Sequence, residues 1–159
     1  MSKQDQKLHL GMSGEYFVSA ELQRRGVTAS ITYGNTKKAD VIAFSLSKQK
    51  VLSIEVKTTS ENKWVLGGYV PSDAPDKRNN LWVFVRIPKN PESVPDYYVL
   101  TEQNLHDAIM PDLMKYQEDY RARHGKEFVG PGVVQLRLEL AKEHKNRWDK
   151  ILDQLKRDS

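Results

Sequence analysis

Residues 38–59 constrain the fold of this chain more than any other stretch. Two segments, 39–45 and 51–58, are rich in β-branched and aromatic residues, and the polar residues 46–49 between them are too few for a helix. The pattern predicts two antiparallel strands joined by a four-residue turn closed by Ser45 and Lys50. Side chains alternate faces along a strand, so Leu52, Ile54 and Val56 share one face and Ser53, Glu55 and Lys57 the other. Counting back from the turn places Asp40 opposite Glu55, with Cβ atoms expected about 5 Å apart. Two carboxylates held that close disfavour each other's ionised form, so the arrangement calls for a compensating cation. The plainer alternative is that Asp40, Glu55 and Lys57 are the solvated face of an ordinary hairpin, since charged strand faces are common.

Glu-x-Lys recurs at Glu61-Asn62-Lys63 and at Glu143-His144-Lys145. Only Glu55 and Lys57 lie inside an apolar alternating run preceded by an Asp-bearing strand. That Asp…Glu-x-Lys arrangement on a hairpin resembles the PD-(D/E)xK, or restriction-endonuclease-like, nuclease superfamily. The motif reads Ala39-Asp40 and then Glu55-Val56-Lys57, with Ala39 where the superfamily has Pro. The chain is also similar, over most of its length, to a group of small bacterial proteins with this nuclease fold. The shared pattern is Gly14-Glu15-Tyr16-Phe17 with Ala20-Glu21-Leu22, Ala29-Ser30-Ile31-Thr32, Asn35-Thr36, Val56-Lys57-Thr58, Trp64-Val65-Leu66, Trp82-Val83-Phe84-Val85 and Asn146-Arg147-Trp148-Asp149.

The resemblance implies an α/β restriction-endonuclease-like core, a mixed central sheet of about five strands flanked by helices, in a single domain over 1–159. It implies a Mg²⁺-dependent endonuclease, with Mn²⁺ as a substitute, acting on DNA. Asp40 and Glu55 would hold the metal, the Val56 carbonyl would add an oxygen ligand, and Lys57 would position the attacking water or stabilise the phosphate. By the same resemblance Glu15 would stand beside the metal, with Glu21 the second choice, although a carboxylate in the first turn of a helix is favoured there by the helix dipole anyway. Lys37, Lys38 and Thr58 are the candidates for contact with nucleic acid. A non-catalytic nucleic-acid-binding module or regulatory subunit on the same fold is the alternative, and a homodimer is compatible with either.

The bulk properties agree with a globular protein. The chain has 159 residues, 38% apolar and 29% charged, enough to bury a proper core. No apolar run approaches the roughly 20 residues of a membrane span, and residues 1–10 lack a signal-peptide core, so the expectation is a cytoplasmic protein with no membrane partner. Cysteine is absent, which excludes disulfides, thiolate catalysis and Cys-based zinc sites. The net charge is +4, and through Lys63 there are 10 Lys/Arg against 6 Asp/Glu. The positive excess thus lies in the part carrying the Asp40–Lys57 hairpin, as a phosphate-bearing partner would favour. A net charge of this size is equally common as a solubility margin.

The remaining elements follow from capping and periodicity. Residues 1–7 are expected to fray, Ser13 to cap a helix over 14–25 with Tyr16, Phe17, Ala20 and Leu22 on its apolar surface, and Gly26 to end it. Strands are expected over 27–33, 64–70, 81–87 and 97–100, the third covered on both faces. Thr101 is expected to cap a helix to Met110 and Pro111 to open another ending near Gly125. Residues 133–140 alternate and then give way, near Leu138, to helical spacing. Leu140, His144, Trp148, Ile151, Leu152 and Leu155 then fall on one helical stripe. Trp64, Trp82 and Trp148 are expected in the core. The four histidines are scattered and lack metal-ligand spacing.

Overall fold

The computed structural model describes residues 1–32, 39–77, 79–130 and 132–157. The first helix, α1, spans Lys3–Arg24. It begins earlier than its apolar pattern implies because Ser2 and Asp5 form a reciprocal cap. The Asp5 N–H donates to Ser2 Oγ at 3.1 Å, and the Ser2 N–H donates to Asp5 Oδ2 at 3.0 Å. Residues 3–7, expected to be irregular, are therefore helical. Ser13, the expected cap, lies inside the helix and donates its hydroxyl to the His9 carbonyl at 2.7 Å. Gly14, Val18 and Leu22 form the buried face, while Tyr16 and Phe17 are exposed. Gly26, at φ +76°, turns the chain out of the helix as expected.

Five strands form one mixed sheet: β1 (Thr28–Ile31), β2 (Val41–Ser45), β3 (Lys50–Thr59), β5 (Leu81–Arg86) and β6 (Asp96–Thr101), ordered β1-β2-β3-β5-β6. Only β3 and β5 pair in parallel. The connection between them carries the short strand β4 (Lys63–Val65), which pairs with β7 (Gln135–Arg137) in a separate ribbon. Every residue of β5 from Leu81 to Val85 is buried, as its lack of polar alternation demands.

Each face of the sheet carries its own core. Val41, Ala43, Ile54, Val56, Val83 and Val85 pack with Val18 and Leu22 of α1. Trp64, Trp82, Phe84 and Leu100 pack on the other face with Leu105 and Ile109 of the helix α2 (Glu102–His124). α2 is one continuous helix rather than two. Pro111 removes the N–H that would pair with the carbonyl of Asp107, but Asp107 is exposed, so water can satisfy that oxygen. Gly125, at φ +63°, closes the helix as expected.

The C-terminal stripe also divides. Leu138 does mark the switch from strand to helix, at α3 (Leu138–Ala141), but a 3₁₀ turn (Lys142–His144) and Asn146 at φ +55° then break the periodicity before α4 (Asp149–Lys156). The reason is that the chain crosses the open edge of β6, where Lys145 bridges to Tyr98 and the Asn146 N–H donates to the Tyr97 carbonyl at 2.9 Å. Leu140 stays with the α2 core, whereas Trp148, Ile151 and Leu155 join the α1 core.

The seam between α1 and β3 gives a paired test. A Cβ on Gly14 would overlap the Thr58 hydroxyl and come within 3.0 Å of Thr58 Cβ, whereas a Cβ on Gly11 meets nothing within 4 Å. Gly14→Ala should destabilise the fold by about 1–3 kcal/mol through overpacking. Gly11→Ala should stabilise it by up to about 1 kcal/mol through helix propensity. Urea unfolding of the two variants checks both signs; equal effects would show that α1 does not rest on Thr58.

Candidate active site

The site forms where β2 leaves β3. The hairpin register is the one its turn implies, from Ser45 opposite Lys50 to Val41 opposite Ile54, but Asp40, expected across from Glu55, is offset as in a bulge, so that Asp40 and Val41 both stand against Ile54. The Asp40 N–H still donates to the Ile54 carbonyl at 3.0 Å. Beyond it the backbone of β2 turns away, held by the Thr32 N–H to the Asp40 carbonyl (3.0 Å) and the Thr32 hydroxyl to the Ala39 carbonyl (2.5 Å). β3 runs on to Thr59 without that partner. Its next free donor, the Val56 N–H, is taken by Asp40 Oδ2 at 2.7 Å. One residue's N–H and C=O point to the same edge of a strand, so the Val56 carbonyl shares this edge with the Asp40 carboxylate.

Glu55 and Lys57 are half-buried, with Lys57 Nζ 3.7 Å from Glu55 Oε2. Their side of the sheet is that of their neighbours in β5, Trp82 and Phe84, and Lys57 Nζ lies 5.9 Å from the centre of the Trp82 ring. Glu15 reaches the same region from α1, because Gly14 seats that helix on Thr58. Burial raises the Glu55 carboxyl above the usual range and the Asp40 charge raises it further, with Lys57 opposing. Glu15 is raised in the same order by burial and by Asp40, again opposed by Lys57. Asp40 thus acts on both Glu55 and Glu15, Lys57 opposes it at both, and Glu102 adds a smaller effect on Glu55.

Among the described residues no three Asp, Glu, His or Cys side chains converge as a ready-made metal cage. The donor set fits a hydrated hard cation all the same. Mg²⁺ is bound through one or two carboxylates while keeping several waters, and this group carries two more carboxylates than ammoniums.

The other expected residues divide. Lys37 and Lys38 lie outside the described residues. Thr58 is half-buried, and its hydroxyl oxygen is buried against Gly14 with no hydrogen-bond partner among the described residues, so that atom packs the α1–β3 seam. Glu21 is turned from the site and paired with Arg24 and Arg25. Trp64, Trp82 and Trp148 are buried, as expected.

One buried carboxylate escapes the sequence pattern. Glu102, in the first turn of α2, is fully buried and accepts from the Trp82 indole N–H (2.8 Å), the Tyr69 hydroxyl (2.8 Å) and Asn80 Nδ2 (3.4 Å). The signal for it was indirect: a core Trp must find a partner for its N–H, and Glu102 follows directly on the cap residue Thr101.

No family model matches the sequence, and no curated protein does. Among solved structures, one that matches is Hjc from Archaeoglobus fulgidus, a Holliday junction resolvase from an archaeal hyperthermophile. The TM-score is 0.49 and the identity 14%, over 87% of this chain and 93% of that chain. The architecture of this chain is α/β, built on a mixed five-stranded sheet. Its mixed five-stranded sheet, flanked by α1 and α4 on one face and α2 on the other, is the arrangement the sequence resemblance implies.

The raised carboxyls fix the sign of a pH dependence. A glutamate raised in the folded state contributes stability that is complete below its unfolded value and is lost as pH rises through the folded one. Metal-free Glu55→Gln lacks that loss, so its stability relative to the parent should increase as pH rises from below the ordinary glutamate value toward neutrality. Glu15→Gln should behave the same way. Denaturation at a series of pH values in EDTA reads this. A difference that does not change with pH would mean these carboxylates are not destabilised by burial and by Asp40.

Proposed function

We propose that the protein, over residues 1–159, is a divalent-metal-dependent endonuclease that hydrolyses DNA phosphodiester bonds. The observation that supports this reading most is the excess of negative charge held in fixed positions by Asp40, Glu55 and Glu15 around Lys57. A solvated hairpin face has no reason to bury such a group or to anchor one member on a backbone N–H.

In this reading Asp40 and Glu55 hold Mg²⁺, or Mn²⁺ in its place, with the Val56 carbonyl and Glu15 as further oxygen donors. When bound, the metal supplies a water of lowered pKa and neutralises charge that builds on the phosphate. The chain's own groups do the rest. The Val56 N–H holds the Asp40 carboxylate in place through one oxygen. Lys57, with three N–H donors beside Glu55, orients the attacking water or receives the charge of the pentacovalent phosphate. Partial burial of Glu55 and the Trp82 ring beyond Lys57 reduce the screening of this interaction by bulk water. Lys37 and Lys38 are proposed to contact phosphate ahead of Asp40, in keeping with the basic balance of the first 63 residues. No helix among the described residues is long and apolar enough to cross a membrane. Action on DNA in the cytoplasm, and as a homodimer, completes the proposal.

Thermal melts with and without Mg²⁺, each paired with a DNA cleavage assay, test the reading. Mg²⁺ should stabilise the parent by mass action, by about 2.7 kcal/mol at a hundredfold excess over its dissociation constant. In Asp40→Asn two effects oppose in the absence of metal: repulsion is relieved, but a charge-assisted hydrogen bond to Val56 becomes a weaker neutral one. Its metal-free melting temperature should therefore stay near the parent's, while the Mg²⁺ shift and cleavage both disappear. Lys57→Ala should keep the metal shift and lose cleavage. Equal metal shifts in all three proteins would overturn the metal site, and DNA binding without cleavage by the parent would favour a binding module.

A further inference from the structure

The proposed chemistry leaves the buried Glu102 carboxylate unused, and its contacts lead toward the site. Its Oε2 accepts from Trp82 Nε1 at 2.8 Å, and the same indole ring stands under Lys57 Nζ at 5.9 Å. Trp82 sits in β5 at the position paired with Glu55, and Lys57 pairs with the adjoining Phe84. On its far side the carboxylate takes the Tyr69 hydroxyl at 2.8 Å, and the Tyr69 and Trp82 rings meet edge-on with centroids 5.4 Å apart. Asn80 reaches the same carboxylate through its side chain, and its carbonyl accepts from the Glu102 N–H at 3.1 Å.

Core packing alone does not call for this group. Burying a carboxylate is costly unless it is well hydrogen-bonded, and an apolar residue of similar size would fill the space without that cost. What a charged acceptor adds is a strong, directional bond that fixes the rotation of the Trp82 ring. A fixed ring fixes the face that the Lys57 ammonium stands over, 5.9 Å from the ring centre. Lys57 is one-third exposed on a flexible stem, and its 3.7 Å ion pair with Glu55 and the Trp82 ring together define its position.

We propose that Glu102 is a positioning residue of this site: through the Trp82 indole it holds the Lys57 ammonium in register with Glu55. The inference rests on the nuclease reading for its catalytic consequence but not for its structural part.

The test reads Lys57 directly by carbon-13 NMR of lysine-labelled protein, with its ε-methylene signal assigned by its loss in Lys57→Arg. In the parent that signal should be displaced by the ring current of Trp82. In Glu102→Gln it should move toward the position of a free lysine, and kcat for cleavage should fall by up to about a hundredfold, the scale of a one-ångström misplacement, with KM for DNA little changed. Glu102→Asp keeps the charge but withdraws the carboxylate from the indole by one methylene, and should shift the signal the same way if Glu102→Gln does not fold. Tyr69→Phe removes a donor from the same carboxylate without cutting the path to Lys57, so it should lower the melting temperature and leave the Lys57 signal in place. An unmoved Lys57 signal in a folded Glu102 variant would overturn the positioning role. A parent that shows the displaced signal, loses it in Glu102→Gln and never cleaves DNA would instead overturn the nuclease reading alone.

Discussion

The hydrogen bond from the Val56 N–H to the Asp40 carboxylate holds together the fold and the site. β2 must leave β3 somewhere, and each backbone donor exposed by that departure needs an acceptor. Here the acceptor is a side chain from the residue at which the strand turns away. The junction is therefore closed without adding another rung of backbone pairing. It also leaves a carboxylate standing at a strand edge, beside the Val56 carbonyl, where its charge acts on Glu55. Structural need and chemical placement coincide in one bond.

Around that junction, two packings bring in the remaining charges. α1 rests on β3 at Gly14, where the absence of a side chain lets the helix approach Thr58, and Glu15 follows by one position. On the opposite face, α2 begins at the end of β6 and carries Glu102 into the core beneath Trp82. The site thus draws on both faces of the sheet. It lies on β3 beside the parallel neighbour β5, which is covered on both sides.

The hairpin was legible in the sequence because strand periodicity and a four-residue turn together allow one register, and a slip by one residue would have exposed Leu52, Ile54 and Val56. β5 was legible because an unbroken apolar run leaves only a strand buried on both faces. Other features depended on information that periodicity does not carry. The start of α1 rests on a local cap, Ser2 with Asp5, in a stretch with no apolar face. The continuity of α2 through Pro111 rests on an exposed carbonyl that water can satisfy. The broken C-terminal stripe reflects a crossing of the β6 edge, a tertiary event. Thr58 read as a polar residue next to the motif, yet its hydroxyl is enclosed by a helix that meets it from more than 40 residues away in sequence. Glu102 read as a first-turn acid on a helix, and only the fold shows its indole partner.

The central claim is that the carboxylates at the β2–β3 junction are a cation site, and paramagnetic broadening by Mn²⁺ tests it most directly. Substoichiometric Mn²⁺ added to the nitrogen-15-labelled protein should selectively broaden the amide signals of Glu15, Asp40, Glu55, Val56 and Lys57. Excess Mg²⁺ should restore them. Uniform broadening, or broadening centred on acidic residues elsewhere such as Asp107 and Asp112 of α2, would contradict the account.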